Sequence, residues 1–190
     1  MLGGAKLVDA LNAAPLTSLL GPFHRYVLHR FIVMALSAGT PFHILSGEWA
    51  RKTGGRFNFP NRYRTTYLAL DSVTARVEAE RIIAPFVHFP IAGALQHVLN
   101  LGDPDITGLL QLSPAELQAD WRFANAKGVE TPTQQLGHAA YDVRRIEGIA
   151  YPSTVNPGGV CLAAFAERLT LDSFLEVQDP NGVIRERISG

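Results

Sequence analysis

The chain has 190 residues, 47% of them hydrophobic and 18% charged, with seventeen Lys and Arg against seventeen Asp and Glu. That length supports one well-buried domain, the composition excludes a disordered chain, and a formal charge of zero leaves no long-range field to draw in a nucleic-acid backbone or an anionic membrane. The single cysteine, Cys161, excludes an internal disulfide and suits a reducing cytoplasm.

In chain order, residues 1–28 carry Leu2, Leu7, Leu11, Leu16 and Leu19 and read as one or two short helices broken near Gly21-Pro22. Asp9 and Asn12 interrupt the leucines and no small-residue cleavage site follows a basic start, so no secretory signal is expected. Phe31 to Ala38 is too short an apolar run to cross a bilayer. Residues 29–50, punctuated by Gly39-Thr40-Pro41 and Ser46-Gly47, read as strand, loop, and strand or turn, and Arg51 to Pro60 as a loop rich in Gly, Asn and basic residues. Thr65 to Leu70 has the content of a strand, and Asp71-Ser72 caps a helix running from Val73 to about Ile83. Phe86 to His88 and Leu95 to Leu101 read as two strands. Ser113-Pro114-Ala115-Glu116 carries the hydroxyl, proline and glutamate of a capped helix start. Pro132 to Arg145 reads as a further helix, and Ile149 to Tyr151 with Val160 to Phe165 as a strand pair about Asn156-Pro157-Gly158-Gly159. The mixture is α+β, without regular strand–helix alternation.

The chemistry-bearing residues are few. Arg56 follows two glycines and precedes Phe57-Asn58, so a tightly bent loop would present a planar five-donor fork able to grip a pyrophosphate. Tyr67 and Glu78 follow at successive intervals of eleven residues, and Ser153 lies downstream in Tyr151-Pro152-Ser153. Cation, aromatic plate, carboxylate and hydroxyl each suit a part of a phosphorylated nucleotide with a cationic aromatic leaving group, a description NAD fits. Each residue also has an ordinary reading: Arg56 as a surface arginine beside a turn, Tyr67 as core, Glu78 as a solvated helix position, Ser153 as a turn hydroxyl. No Walker loop, dinucleotide fingerprint or nucleophile elbow occurs. The six histidines lack metal-site spacing, so no metal is expected. Trp121 and Phe123 read as packing anchors, since the neutral chain offers no basic groove for nucleic acid.

From about His29 to Phe165, through LSGEWARKTGGRFN, TYLALDSVTARVEAE, LSPAELQADWR and EGIAYPSTVNPGGVCLAAF, the chain resembles the RES domain, typically the toxin half of RES–Xre toxin–antitoxin pairs. The resemblance implies a compact single α+β domain like that of ADP-ribosyltransferase toxins, with a mixed β core and flanking helices. The domain is assigned to residues 29–190, leaving residues 1–28 as a helical extension. It implies an NAD-consuming enzyme that cleaves the nicotinamide–ribose bond by hydrolysis or phosphorolysis. The alternatives are transfer of ADP-ribose to a protein, or a non-catalytic nucleotide-binding module.

On the motif match, the family's arginine, tyrosine, glutamate and serine fall on Arg56, Tyr67, Glu78 and Ser153. Glu78, Arg56 and Ser153 are the implied catalytic residues, and Arg56, Tyr67, Arg30 and Asn58 the NAD-binding ones. His29-Arg30 stands where members carry an upstream Tyr-Arg pair, and Phe57 stands for a tryptophan. The implied partner is an Xre-type helix-turn-helix antitoxin, with NAD as substrate, no direct nucleic acid and no membrane. A homo-oligomer is left open.

Overall fold

The computed structural model describes residues 1–38, 43–80 and 83–190. Its spine is one 15-residue strand, β4 (Phe86–Asn100), where the sequence suggested two short strands. Pro90 and Gly93 look like breakers, yet both are accommodated. Pro90 keeps its carbonyl, which accepts from Gln178 N at 2.9 Å. At Gly93 a Cβ would lie 2.7 Å from Phe174 O, so the missing side chain lets a neighbouring strand close in.

Four strands share this spine. Along one edge, β1 (Thr17–Leu20) and β2 (Phe23–Leu28) lie end to end, both antiparallel to β4. Residues 17–28 are therefore strand and not the helix expected of them, and only α1 (Gly4–Ala13) is helical before Gly21-Pro22. Along the other edge run β5 (Gly148–Pro152), parallel to the end of β4, and β7 (Phe174–Val177), antiparallel to its middle. The strand β3 (Thr66–Ala69) pairs with β6 (Val160–Ala164), which pairs with β5. Because β2 also meets β3 at His24 opposite Ala69, the pairings β2–β3–β6–β5–β4–β2 form a circuit. The last strand, β8 (Arg187–Ser189), continues the β7 edge.

The sheet is buried on both faces, as alternation along β6 shows: Cys161 and Ala163 join one apolar cluster, Leu162 and Ala164 the other. The first cluster takes Leu7 and Leu11 of α1 with Leu136 and Ala140 of α8 (Pro132–Asp142). Between them lie α2 (His29–Ser37), α3 (Glu48–Thr53), α4 (Ser72–Ala79), α5 (Pro104–Leu109), α6 (Pro114–Leu117) and α7 (Trp121–Ala126). The expected strand after residue 29 is helix α2; an apolar run of that length is compatible with either form, and tertiary packing decides. The Gly39-Thr40-Pro41 loop and the expected helix turn through Arg81 lie outside the described residues. The capping boxes at Ser113–Glu116 and Thr131–Gln134 close as local sequence dictates.

One buried carboxylate joins spine to edge. Glu147 is fully buried; its Oε2 accepts from Gln96 N (2.7 Å) and His97 N (2.9 Å), and its Oε1 from Thr170 N (2.6 Å) and Thr170 Oγ1 (2.5 Å). Burial opposes the charge, but the donors from Thr170, Ser173 and the backbone outweigh it and hold the carboxyl below its ordinary value. A depressed folded-state value means stabilisation that is present above the unfolded value and lost as pH falls through the folded one. Glu147→Gln turns an NH2 against backbone donors and is expected to cost about 2–3 kcal/mol in urea unfolding at neutral pH. The gap to wild type should narrow as pH falls from the ordinary carboxyl range through the lower folded-state value, where the native carboxyl takes up its proton.

Candidate functional site

The glycine-rich loop is built to present one cation. Gly54 closes α3 at φ 76° and ψ 170°, a conformation open to glycine and strained for other residues. A Cβ on Gly55 would lie 2.4 Å from the hydroxyl of Tyr67 on β3, so the ring packs directly on the loop backbone. The Tyr67 hydroxyl accepts from Phe57 N at 2.9 Å and donates to Asn58 Oδ1 at 2.8 Å. Burial pushes this phenol well above its ordinary pKa, so it keeps the proton it donates. From the far side, Gln134 Nε2 of α8 donates to Gly55 O at 2.9 Å, and α8 lies so close at Gly137 that a Cβ there would overlap Phe57 O. With Gly55, Phe57 and Asn58 buried, Arg56 is the residue sent outward. Its Nη1 donates to Leu117 O (2.5 Å) and its Nη2 to Thr154 Oγ1 (3.3 Å).

Glu78 comes from the opposite wall. Asp71 caps α4, its two carboxylate oxygens accepting from Thr74 N (2.8 Å) and Thr74 Oγ1 (2.6 Å). Those donors hold the Asp71 carboxyl below its ordinary value. Thr74 Oγ1 in turn accepts from Asn156 Nδ2 at 2.7 Å, which docks the helix on the β5–β6 turn. One helical turn further, Glu78 Oε1 accepts from Ser153 Oγ at 2.8 Å and from Cys161 Sγ at 3.7 Å. Ser153 Oγ is itself fixed by Val155 N (3.2 Å) and Asn156 N (3.1 Å).

Arg56, Tyr67 and Glu78 line one cavity of about 360 Å³, a size suited to a small-molecule site. Cys161 and Tyr151 also line it. Burial, then the neighbouring Glu78 charge, pushes the Cys161 thiol up to about 12, so it is protonated. Burial likewise raises the Tyr151 phenol well above its ordinary range.

Three expected features differ. Arg30 is exposed on α2, its guanidinium 5.1 Å from the Phe31 ring, and does not line the cavity. The upstream cation in the cavity is Arg25 of β2, followed by Tyr26; Arg25 Nη1 donates to Tyr67 O at 2.8 Å. Among the described residues, Arg25 Nε is buried without an acceptor, and burial, opposed by Glu186, pulls the guanidinium down to about 10. No motif in the sequence marks this residue. Asn58 is fully buried, with Nδ2 donating to Ala50 O (2.6 Å) and Oδ1 taken by Tyr67, so it shapes the loop and does not face the cavity. Trp121 lines the cavity beneath Arg122, whose guanidinium lies 4.4 Å from its ring, while Phe123 is exposed and meets Lys127 Nζ, 4.1 Å from its ring. Ser153 reaches the cavity only through Glu78.

Among the described residues no three His, Cys, Asp or Glu side chains are grouped to hold a metal ion, and no helix is long and apolar enough to cross a membrane. This is the fold and the arrangement of an α+β domain with a cation-lined cavity, and the chain belongs to the RES domain family, whose model matches residues 31–179. The fold is similar to that of a chain in the crystal structure of the M. tuberculosis MbcT–MbcA toxin–antitoxin complex, with TM-score 0.69 and 21% identity over 98% of this chain and 93% of that one. No curated protein matches the chain.

Tyr67 carries the loop, and this can be measured. Tyr67→Phe leaves Phe57 N and Asn58 Oδ1 without their partner and is expected to cost about 1–3 kcal/mol in chemical unfolding.

Proposed function

We propose that this chain is an NAD-degrading enzyme that cleaves the bond between nicotinamide and ribose, the toxin of a toxin–antitoxin pair. The observation that carries the reading is that Arg56 and Glu78 line one cavity although 22 positions and the whole of β3 separate them. Nicotinamide in NAD is already cationic, so its departure needs no general acid. What builds up is oxocarbenium character on the ribose, as in glycoside cleavage.

Glu78 supplies the opposing negative charge and a hydrogen-bond acceptor for the ribose hydroxyls, oriented by Ser153. Arg56 and Arg25 hold the diphosphate, so that binding energy from the remote half of the dinucleotide keeps the ribose in a reactive shape. Tyr67 forms the aromatic wall against which nicotinamide lies. Asn58 serves by holding the loop and Arg30 takes no part at the cavity. The acceptor of the ADP-ribosyl group is water, phosphate or a protein side chain.

The resemblance to RES–Xre toxins and the similarity to a chain of a toxin–antitoxin complex support a neutralising partner, an Xre-type helix-turn-helix protein, and a cytoplasmic setting where NAD is at hand.

Incubation of the pure protein with NAD, with and without phosphate, is expected to release nicotinamide. Glu78→Gln should lower kcat by about a hundredfold or more, and Arg25→Ala or Arg56→Ala should act chiefly on KM. Release by Glu78→Gln at the wild-type rate would remove Glu78 from the mechanism. Labelled adenine on protein, rather than in free ADP-ribose or its phosphorylated counterpart, would mark a transferase.

A further inference from the structure

We infer that Cys161 is a positioning residue for Glu78, its thiol and the Ser153 hydroxyl together donating to the same carboxylate oxygen. The inference rests on the reading of Glu78 as the catalytic carboxylate. Cys161 sits in β6 opposite Ala69 of β3 and Tyr151 of β5, on the cavity-facing side of the sheet, and is 3% exposed. Its Sγ lies 3.7 Å from Glu78 Oε1, the oxygen that also accepts from Ser153 Oγ at 2.8 Å.

The two donors reach Glu78 from different elements. Ser153 belongs to the turn after β5 and is fixed by two backbone amides, whereas Cys161 belongs to the interior of β6. One donor alone lets a carboxylate swing about the bond it accepts; two donors on separate elements fix the plane of the group. The thiol stays protonated, since burial and the adjacent carboxylate both oppose its ionisation, so it has a hydrogen to give. A reactive nucleophile would need the opposite environment, an electropositive one that lowers the thiol's value. The sulfur therefore acts through Glu78 and takes no covalent part.

Two measurements test this. Cys161→Val fills the same space without a donor, and is expected to lower kcat for nicotinamide release about three- to tenfold, the worth of one hydrogen bond, with KM for NAD unchanged. Cys161→Ser keeps a donor and should recover to within about twofold of wild type. If Cys161→Val does not fold, Cys161→Ala carries the same comparison. A folded Val or Ala variant with wild-type kcat overturns the assignment.

The second measurement needs no turnover. The chain has a single cysteine, so the infrared S–H stretching band of the free protein reports this thiol alone. The band is expected at lower frequency in wild type than in Glu78→Ala, and an unchanged band overturns the inference. Absence of nicotinamide release by the wild type would instead defeat the proposed activity, leaving the infrared comparison to decide the thiol's role.

Discussion

One hydrogen bond, from Ser153 Oγ to Glu78 Oε1, marks the seam on which the site depends. It joins a helix to a turn between strands 75 residues further along the chain, and such a link has to be bought from contacts elsewhere. Those contacts are the Asp71 cap on Thr74 and the bond from Asn156 to the same threonine, which set the helix one turn before the glutamate. Opposite, the loop bearing Arg56 is held by Tyr67 beneath it and by α8 behind it. Each functional side chain thus projects from backbone whose own donors and acceptors are satisfied nearby. Positional accuracy of this kind lets a few charges act on a bound molecule without reorganising.

The chain carries no net charge, yet the cavity contains the guanidinium groups of Arg25 and Arg56 together with Glu78. Formal neutrality describes the far field only. Within the cavity, low local polarisability strengthens each interaction and makes an unpaired group costly. The buried Nε of Arg25 is such a group.

Local signals were legible in the sequence and long-range ones were not. The caps at Asp71, Ser113 and Thr131 follow from residues three apart, and the β5–β6 hairpin from its turn residues. The cavity residues Arg56, Tyr67 and Glu78 were readable because they fall in recognisable motifs. By contrast, Pro90 and Gly93 argued locally against a continuous β4, and only partners distant in sequence make it one strand. The leucines before Gly21-Pro22 suggested helix, which hid β1 and β2, and the match of His29-Arg30 to an upstream Tyr-Arg pair pointed to Arg30 where the cavity holds Arg25. Asn58 looked like a binding residue because polarity in a loop carries no information about which way it faces. The strands β7 and β8 went unread, since their pairing depends on Gly93 leaving room.

The ring of strand pairings bears on how much of the chain is needed. The span 31–179 that matches the family model starts after β2 and stops before β8. A protein trimmed to that span would have its ring broken at the position where β2 bridges β3 and β4, baring a row of amides and carbonyls on each. It would also lack Arg25, one of the cations that line the cavity. The signature recognisable by similarity is thus shorter than the span whose strands close the circuit.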